Sequence, residues 1–221
     1  MADWPTDPVV ITGANGGLGQ GLVNAFAEAG ANVIAVARGE CREPVGGVDY
    51  RTCDLLDEPS VAALFSAVGV PWAVINTVGG FAPKTSLTEL DMTELDQQHS
   101  LNLGTSALVT KYALRTMEPG GEGRIVHTAS RAATATATAG FAYSVSKAGV
   151  LHLVKMAAQE FAKTNIRIHA VSPAIIDTPA NRAALPGANF SDWARPEDIA
   201  RAYMFLAAPE SPAKSGTVIG V

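Results

Sequence analysis

Charge is scarce in this sequence. Only 17% of its 221 residues are Asp, Glu, Lys or Arg, against 48% hydrophobic, and a chain so apolar buries a core instead of staying disordered. The net charge of -5 argues against nucleic acid or an anionic membrane as the main partner. No apolar run reaches the roughly 18 residues of a membrane span. Met1–Pro8 has neither the basic residues nor the hydrophobic stretch of a secretion signal. A soluble, cytoplasmic protein is expected. Cysteine is nearly absent: Cys41 and Cys53 lack Cys-x-x-Cys spacing, so reduced thiols are expected and a disulfide framework is not. His99, His127, His152 and His169 are scattered without ligand spacing, and no metal site is expected. His127 reads as a packed strand residue, with a place facing the pocket as the alternative. Asn189-Phe190-Ser191 fits a glycosylation pattern, read as coincidence. There is no repeat, no low-complexity tract and no linker, so residues 1–221 form one domain.

What is present is a regular alternation. Short β-branched runs at 8–12, 32–37, 50–53, 73–77, 124–128, 166–171 and 217–221 read as strands. Helical periodicity occupies the intervals from Gly17, with Gly30 as its cap, and at 59–68, 91–117, 142–163 and 196–208. Strands alternating with helices of this length predict an α/β fold, a doubly wound parallel sheet with helices on both faces. Residues 177–195, rich in Pro, Ala and Asn, are the least regular stretch and read as a substrate-side loop or lid.

Two motifs carry chemistry. Thr12-Gly13-Ala14-Asn15-Gly16-Gly17-Leu18-Gly19 follows a strand and opens a helix, where glycines let backbone approach a pyrophosphate at the helix N-terminus. Its spacing alone also fits an ordinary glycine-rich turn. At the end of the second strand stand Ala37 and Arg38, with no acid until Glu40. Arginine there accommodates a ribose 2′-phosphate, which favours NADP(H) over NAD(H). A solvated surface charge is the alternative for Arg38. The second motif is Tyr143-Ser144-Val145-Ser146-Lys147, with tyrosine and lysine on one helix face. A nearby ammonium is expected to lower the phenol pKa and ready it for acid–base work. Ser130, thirteen residues earlier, sharpens the match, and Asn102 needs a polar partner on so apolar a helix.

In order along nearly the whole chain stand the glycine turn, Asp54-Leu55, Asn76-Thr77-Val78-Gly79, Asn102, Ser130, the Tyr143/Lys147 pair and Ser172-Pro173-Ala174. Together they resemble the short-chain dehydrogenase/reductase family. The resemblance implies a single-domain Rossmann fold with a seven-stranded parallel sheet. It implies Tyr143 as acid/base, Lys147 on the nicotinamide ribose, Ser130 steadying the substrate heteroatom and Asn102 holding a proton-relay water. It also implies Gly13, Asn15, Gly16, Gly17, Leu18, Gly19 and Arg38 on the cofactor, with Asp54 and Leu55 by the adenine. Asn76, Gly79, Pro173 and Ile176 would lie along the cofactor and Thr178 by the carboxamide, in a homodimer or homotetramer built through the two long helices. The sequence departs from the family at Thr77-Val78, at Ala174, and in ending within the last strand.

Within the family, Val78-Gly79-Gly80-Phe81, 177–182 and 186–193 resemble dihydropteridine reductases. Arg38 and Ser130 depart from that subgroup and match an ordinary carbonyl reductase. Three functions follow as expectations: an NADPH-dependent oxidoreductase of a small carbonyl or alcohol, a reductase of a ring imine, and a non-catalytic dinucleotide-binding regulator. Phe190 and Trp193 read either as a stacking surface for a flat substrate or as anchors of their loop. Thr134–Thr138 reads as a loop lining the substrate mouth.

Overall fold

The computed structural model describes residues 3–41, 43–81, 86–135 and 140–221. Seven parallel strands form one sheet in the order β3-β2-β1-β4-β5-β6-β7. They are β1 (Val9–Thr12), β2 (Val33–Ala37), β3 (Asp49–Thr52), β4 (Ala73–Asn76), β5 (Glu122–Thr128), β6 (Asn165–Ser172) and β7 (Val218–Gly220). Central strands such as β1 and β4 are buried along their whole length, as continuous apolar runs in a sheet covered on both faces must be. Helices α1 (Gly17–Glu28) and α7 (Pro196–Ala207) cover one face, where Leu22, Phe26, Ile199 and Tyr203 pack on Val9, Ile11, Ile75 and Val126. The other face carries α2 (Glu58–Val68), α4 (Thr105–Met117) and α5 (Phe141–Glu160), burying Phe65, Val109, Met117 and Val154 against Val10, Val74, Ile125 and Ile168. Among the described residues, no helix is long and apolar enough to cross a membrane.

The strand order reverses between β1 and β4. Such a switch point opens a crevice at the carboxyl ends of the strands, where open α/β sheets bind ligands.

Two expectations need correction. The helix read as continuous over 91–117 is three pieces: α3 (Met92–Gln98), a π-helical stretch His99–Gly104, and α4. Within it Thr105 Oγ1 donates to the Leu101 carbonyl and Ser106 Oγ to that of Asn102, both at 2.7 Å. Hydroxyls bonding back one turn loosen the helical ladder there. The stretch 177–195 is not structureless either. Thr178 caps α6 (Pro179–Ala184), accepting from the Asn181 N–H, and a single 3-10 turn spans Phe190–Asp192. The ends meet in a parallel bridge between Ile176 and Ala194. Inside, Arg182 pairs with Asp177 and lies 4.8 Å over the Phe190 ring, itself 4.8 Å from Trp193.

Candidate active site

A cleft of about 520 Å³ opens above the switch point. Ten of the expected cofactor residues line it: Gly13, Asn15, Gly16, Gly17, Leu18, Gly19, Arg38, Asp54, Leu55 and Gly79. Val36, Ala37, Gly39, Cys53, Leu56, Thr77, Val78, Leu101 and Thr105 complete the wall; nothing in the residue types of Val36, Leu56, Leu101 or Thr105 announced them. The glycines are fixed by close approach. Gly13 has φ +76, and a Cβ there would lie 2.5 Å from Thr77 Oγ1. At Gly19 a Cβ would come within 2.1 Å of the Gly13 carbonyl oxygen. The first turn of α1 holds no acidic residue, and its N-cap Gly16 supplies no side-chain cap. Its N–H groups therefore stay available to an anion, with the positive end of the helix dipole behind them. Asn15 ties this turn to the loop after β2, its amide donating to the Gly39 and Glu40 carbonyls at 3.3 and 2.9 Å. Exposed Arg38 thus stands on a braced loop at the cleft edge. A dinucleotide diphosphate fits this cradle.

Beyond Gly79 lie the chemical groups. A Cβ on Gly79 would approach Lys147 Nζ to 2.9 Å and Asn102 Oδ1 to 2.6 Å, so only glycine lets the cleft run up to them. Tyr143 and Lys147 share one face of α5, and Ser130 caps the 3-10 turn Arg131–Ala133 just beyond β5. Burial pushes the Tyr143 phenol up, partly offset by a hydrogen bond with Ser130. This corrects the expected lowering by lysine. Lys147 Nζ lies 6.0 Å from the Tyr143 ring centroid and donates instead to the Thr128 carbonyl at 2.9 Å, so desolvation dominates the phenol. Burial also brings the Lys147 ammonium down to about 8.

Asn102 is fully buried and its amide is spent on protein. It accepts from the Gly80 N–H at 3.0 Å and donates to the Gly80 carbonyl, Gln98 and Ser146 at 3.2, 2.9 and 3.0 Å. Asn76 also lies outside the cleft wall. Its Oδ1 accepts from Thr12 Oγ1 at 2.7 Å, and its Nδ2 donates to Ser106 Oγ and His127 Nδ1 at 3.1 and 3.3 Å. His127 is the packed residue of the two readings, bonded to Thr110 at 2.8 Å and held neutral by burial at about 3. Thr178 is buried against the glycine turn, its Cγ2 2.7 Å from where a Cβ on Gly17 would stand. Pro173 and Ile176 are not in the cleft wall; their carbonyls accept from the Arg131 N–H at 3.0 Å and Asn181 Nδ2 at 2.8 Å. In the loop read as lining the substrate mouth, residues 136–139 lie outside the described residues. Among the described residues no three His, Cys, Asp or Glu side chains group as a metal site requires.

Sequence reasoning missed one neighbour of the tyrosine. The Phe81 ring meets Tyr143 edge to face, with centroids 5.4 Å apart and planes at 67°.

Comparison with known proteins extends the likeness beyond motifs. A family model described as enoyl-(acyl carrier protein) reductase matches residues 13–221. The chain is 33% identical to cis-4-hydroxycyclohexanecarboxylate dehydrogenase of Sinomonas cyclohexanicum, over 96% of this chain and 93% of that one. A short-chain type dehydrogenase/reductase from Mycobacterium ulcerans superposes with a TM-score of 0.90 at 27% identity, covering 99% of this chain and 89% of its own. A variant of the actinorhodin polyketide ketoreductase with NADPH superposes at 0.87 with 27% identity, covering 100% and 97%.

Proposed function

The chain belongs to the short-chain dehydrogenase/reductase family of oxidoreductases, and on that premise we propose that it interconverts a small ketone and its secondary alcohol with NADP(H) as the preferred cofactor. One observation carries the reading: Lys147 Nζ borders Gly79 at the end of the glycine-walled cleft, Tyr143 stands one turn before it on α5, and Ser130 hydrogen-bonds the Tyr143 phenol. When bound, the nicotinamide supplies or accepts hydride at the reacting carbon. In the reductive direction, Tyr143 gives its phenolic proton to the carbonyl oxygen. Ser130 Oγ accepts from the Ala132 N–H at 3.1 Å, which leaves its own proton to steady the same oxygen. Lys147 spends one N–H on Thr128 and has two for a ribose hydroxyl. The glycine turn, Asp54, Leu55 and Gly79 would hold the dinucleotide. Arg38 favours NADP(H), since a guanidinium pairs strongly with a phosphate. Asn76, by contrast, ties the end of β4 to β1, α4 and β5, and Asn102 clamps Gly80; its proton-relay water belongs to the same proposal.

Residues 177–195 act as the substrate-side cover, with Thr178 resting on the glycine turn. Their Phe190 and Trp193 pair, with the half-exposed Phe81, supports a second reading, reduction of a flat ring imine of the dihydropterin type. A non-catalytic regulator is disfavoured, because such a protein has no need of an intact tyrosine, lysine and serine. The reading includes a homodimer or homotetramer and, from the free thiols Cys41 and Cys53, a cytoplasmic setting. Fluorescence titration with NADPH and NADH, then a panel of ketones, quinones and dihydropterins, tests it. Failure to bind either dinucleotide overturns the proposal, and turnover of dihydropterin alone selects the second reading.

A further inference from the structure

We propose that Phe81 is the wall that selects the substrate, favouring compounds whose carbonyl sits on or beside an apolar ring. This rests on Tyr143 being the group that meets the reacting oxygen. A large aromatic side chain 53% exposed next to a half-buried phenol gains nothing by standing in water. It becomes useful when something apolar covers it. Its placement is deliberate in physical terms. Gly80, the preceding residue, has both backbone polar groups engaged by the Asn102 amide, and a Cβ on Gly80 would strike Leu101 at 2.6 Å. The backbone that carries Phe81 is therefore docked before any ligand arrives, and the edge-to-face contact sets the ring against Tyr143. One ring edge is satisfied by the tyrosine and the rest remains open. A carbonyl oxygen at the Tyr143 hydroxyl brings the skeleton attached to it alongside that surface. A compact ring offers Phe81 a rigid apolar face; a flexible chain of the same carbon count must lose rotamer freedom to do so.

The test compares cyclohexanone with 2-hexanone on protein loaded with NADPH, measuring binding by saturation-transfer NMR and turnover by nicotinamide absorbance. The unmodified protein should bind the ring ketone more tightly. Phe81→Ala should reduce that preference by roughly tenfold, with Phe81→Leu intermediate and NADPH affinity unchanged. The turnover number for 2-hexanone should fall less than that for cyclohexanone, since the flexible chain draws less on the wall. A ring preference that survives Phe81→Ala overturns the proposal, as does the absence of any preference at the start. An equal loss of turnover on both ketones also overturns it, because Phe81 would then act only by holding Tyr143. Binding with the expected preference but no turnover would sink the reductase reading and leave the wall standing.

Discussion

Lys147 Nζ donates to the carbonyl oxygen of Thr128 at 2.9 Å, inside a pocket that leaves the side chain only 4% exposed. Burial brings its pKa from 10.5 to about 8. Between these values the unfolded chain holds a proton that the folded protein has released, so stability rises with pH across that window and is lowest below it. At neutral pH the charged lysine opposes folding. Lys147→Met should therefore raise the midpoint of thermal unfolding at pH 7 by roughly 2–4 °C while abolishing turnover. The gain should shrink as pH passes above 8. A lower midpoint at pH 7 would show that the bond to Thr128 outweighs the burial cost.

Tyr143→Phe deletes one oxygen from a half-buried ring and nothing else. On a confirmed substrate its turnover number should fall by roughly 10²- to 10⁴-fold, with NADPH affinity unchanged within about twofold. Ser130→Ala, which also removes the acceptor for the Ala132 N–H, should cost less. Retention of most activity by Tyr143→Phe would remove tyrosine from the chemistry.

Arg38 stands exposed on the loop that Asn15 braces. Unmodified protein should bind NADPH more tightly than NADH, and Arg38→Ala should erase roughly tenfold or more of that ratio. Equal affinities for the two cofactors in the unmodified protein would reduce Arg38 to a surface charge.

His127 and His169 are both buried and held neutral, at about 3 and about 4, below their ordinary 6.5. As pH falls through that window the unfolded chain gains protons that the folded protein refuses, so stability is lost from about 6.5 downward. The two differ in what surrounds them. His127 serves Asn76 and Thr110, and His127→Leu should cost about 1–3 kcal/mol at neutral pH by orphaning them. His169 has no hydrogen-bond partner for either ring nitrogen among the described residues. His169→Leu should be neutral or stabilising and should flatten the acid slope. Urea unfolding on both sides of pH 6.5 distinguishes the pair.

Residues 177–195 form a small packed unit closed at Ile176 and Ala194. Trp193→Ala breaks its aromatic pair and should change KM or kcat for substrate several-fold, leaving NADPH affinity within about twofold. Amide exchange across the segment should slow when substrate and cofactor are both present. An effect confined to NADPH affinity would remove it from the substrate side.

The fold was legible because its strands hold runs such as 9–11 and 73–75, which have no reason to be apolar throughout unless covered on both faces. The π stretch was not. Periodicity reports which face is apolar, and His99–Gly104 keeps its face while changing its hydrogen bonds; only Asn102 and Gly104 in an apolar helix hinted at it. The order inside 177–195 was hidden by its composition, although Thr178-Pro179 is a cap followed by a first-turn proline. Asn76 shows the limit for sites. Its position after a strand suggested cofactor, and whether its amide turns up to the cleft or down to Ser106 and His127 is a question of rotamer and neighbours. Phe81 was named within the segment 78–81, but its contact with Tyr143 became visible only in the fold.

Thr178 Cγ2 occupies the space into which any side chain on Gly17 would grow. Position 17 is therefore under two independent demands, one from the phosphate-binding backbone and one from the flap that begins at Thr178. Gly17→Ala would lever the flap outward even if the helix N-terminus kept its shape. A loss of activity in that variant would carry two signatures at once, weaker dinucleotide affinity and a displaced substrate cover, and affinity alone would misassign it. The change that separates them is Thr178→Ser, which removes the methyl and keeps the hydroxyl that caps α6: combined with Gly17→Ala it relieves the contact at 2.7 Å, leaves the one with the Cβ of residue 178 at 2.9 Å, and should return the segment in part while the dinucleotide defect stays whole.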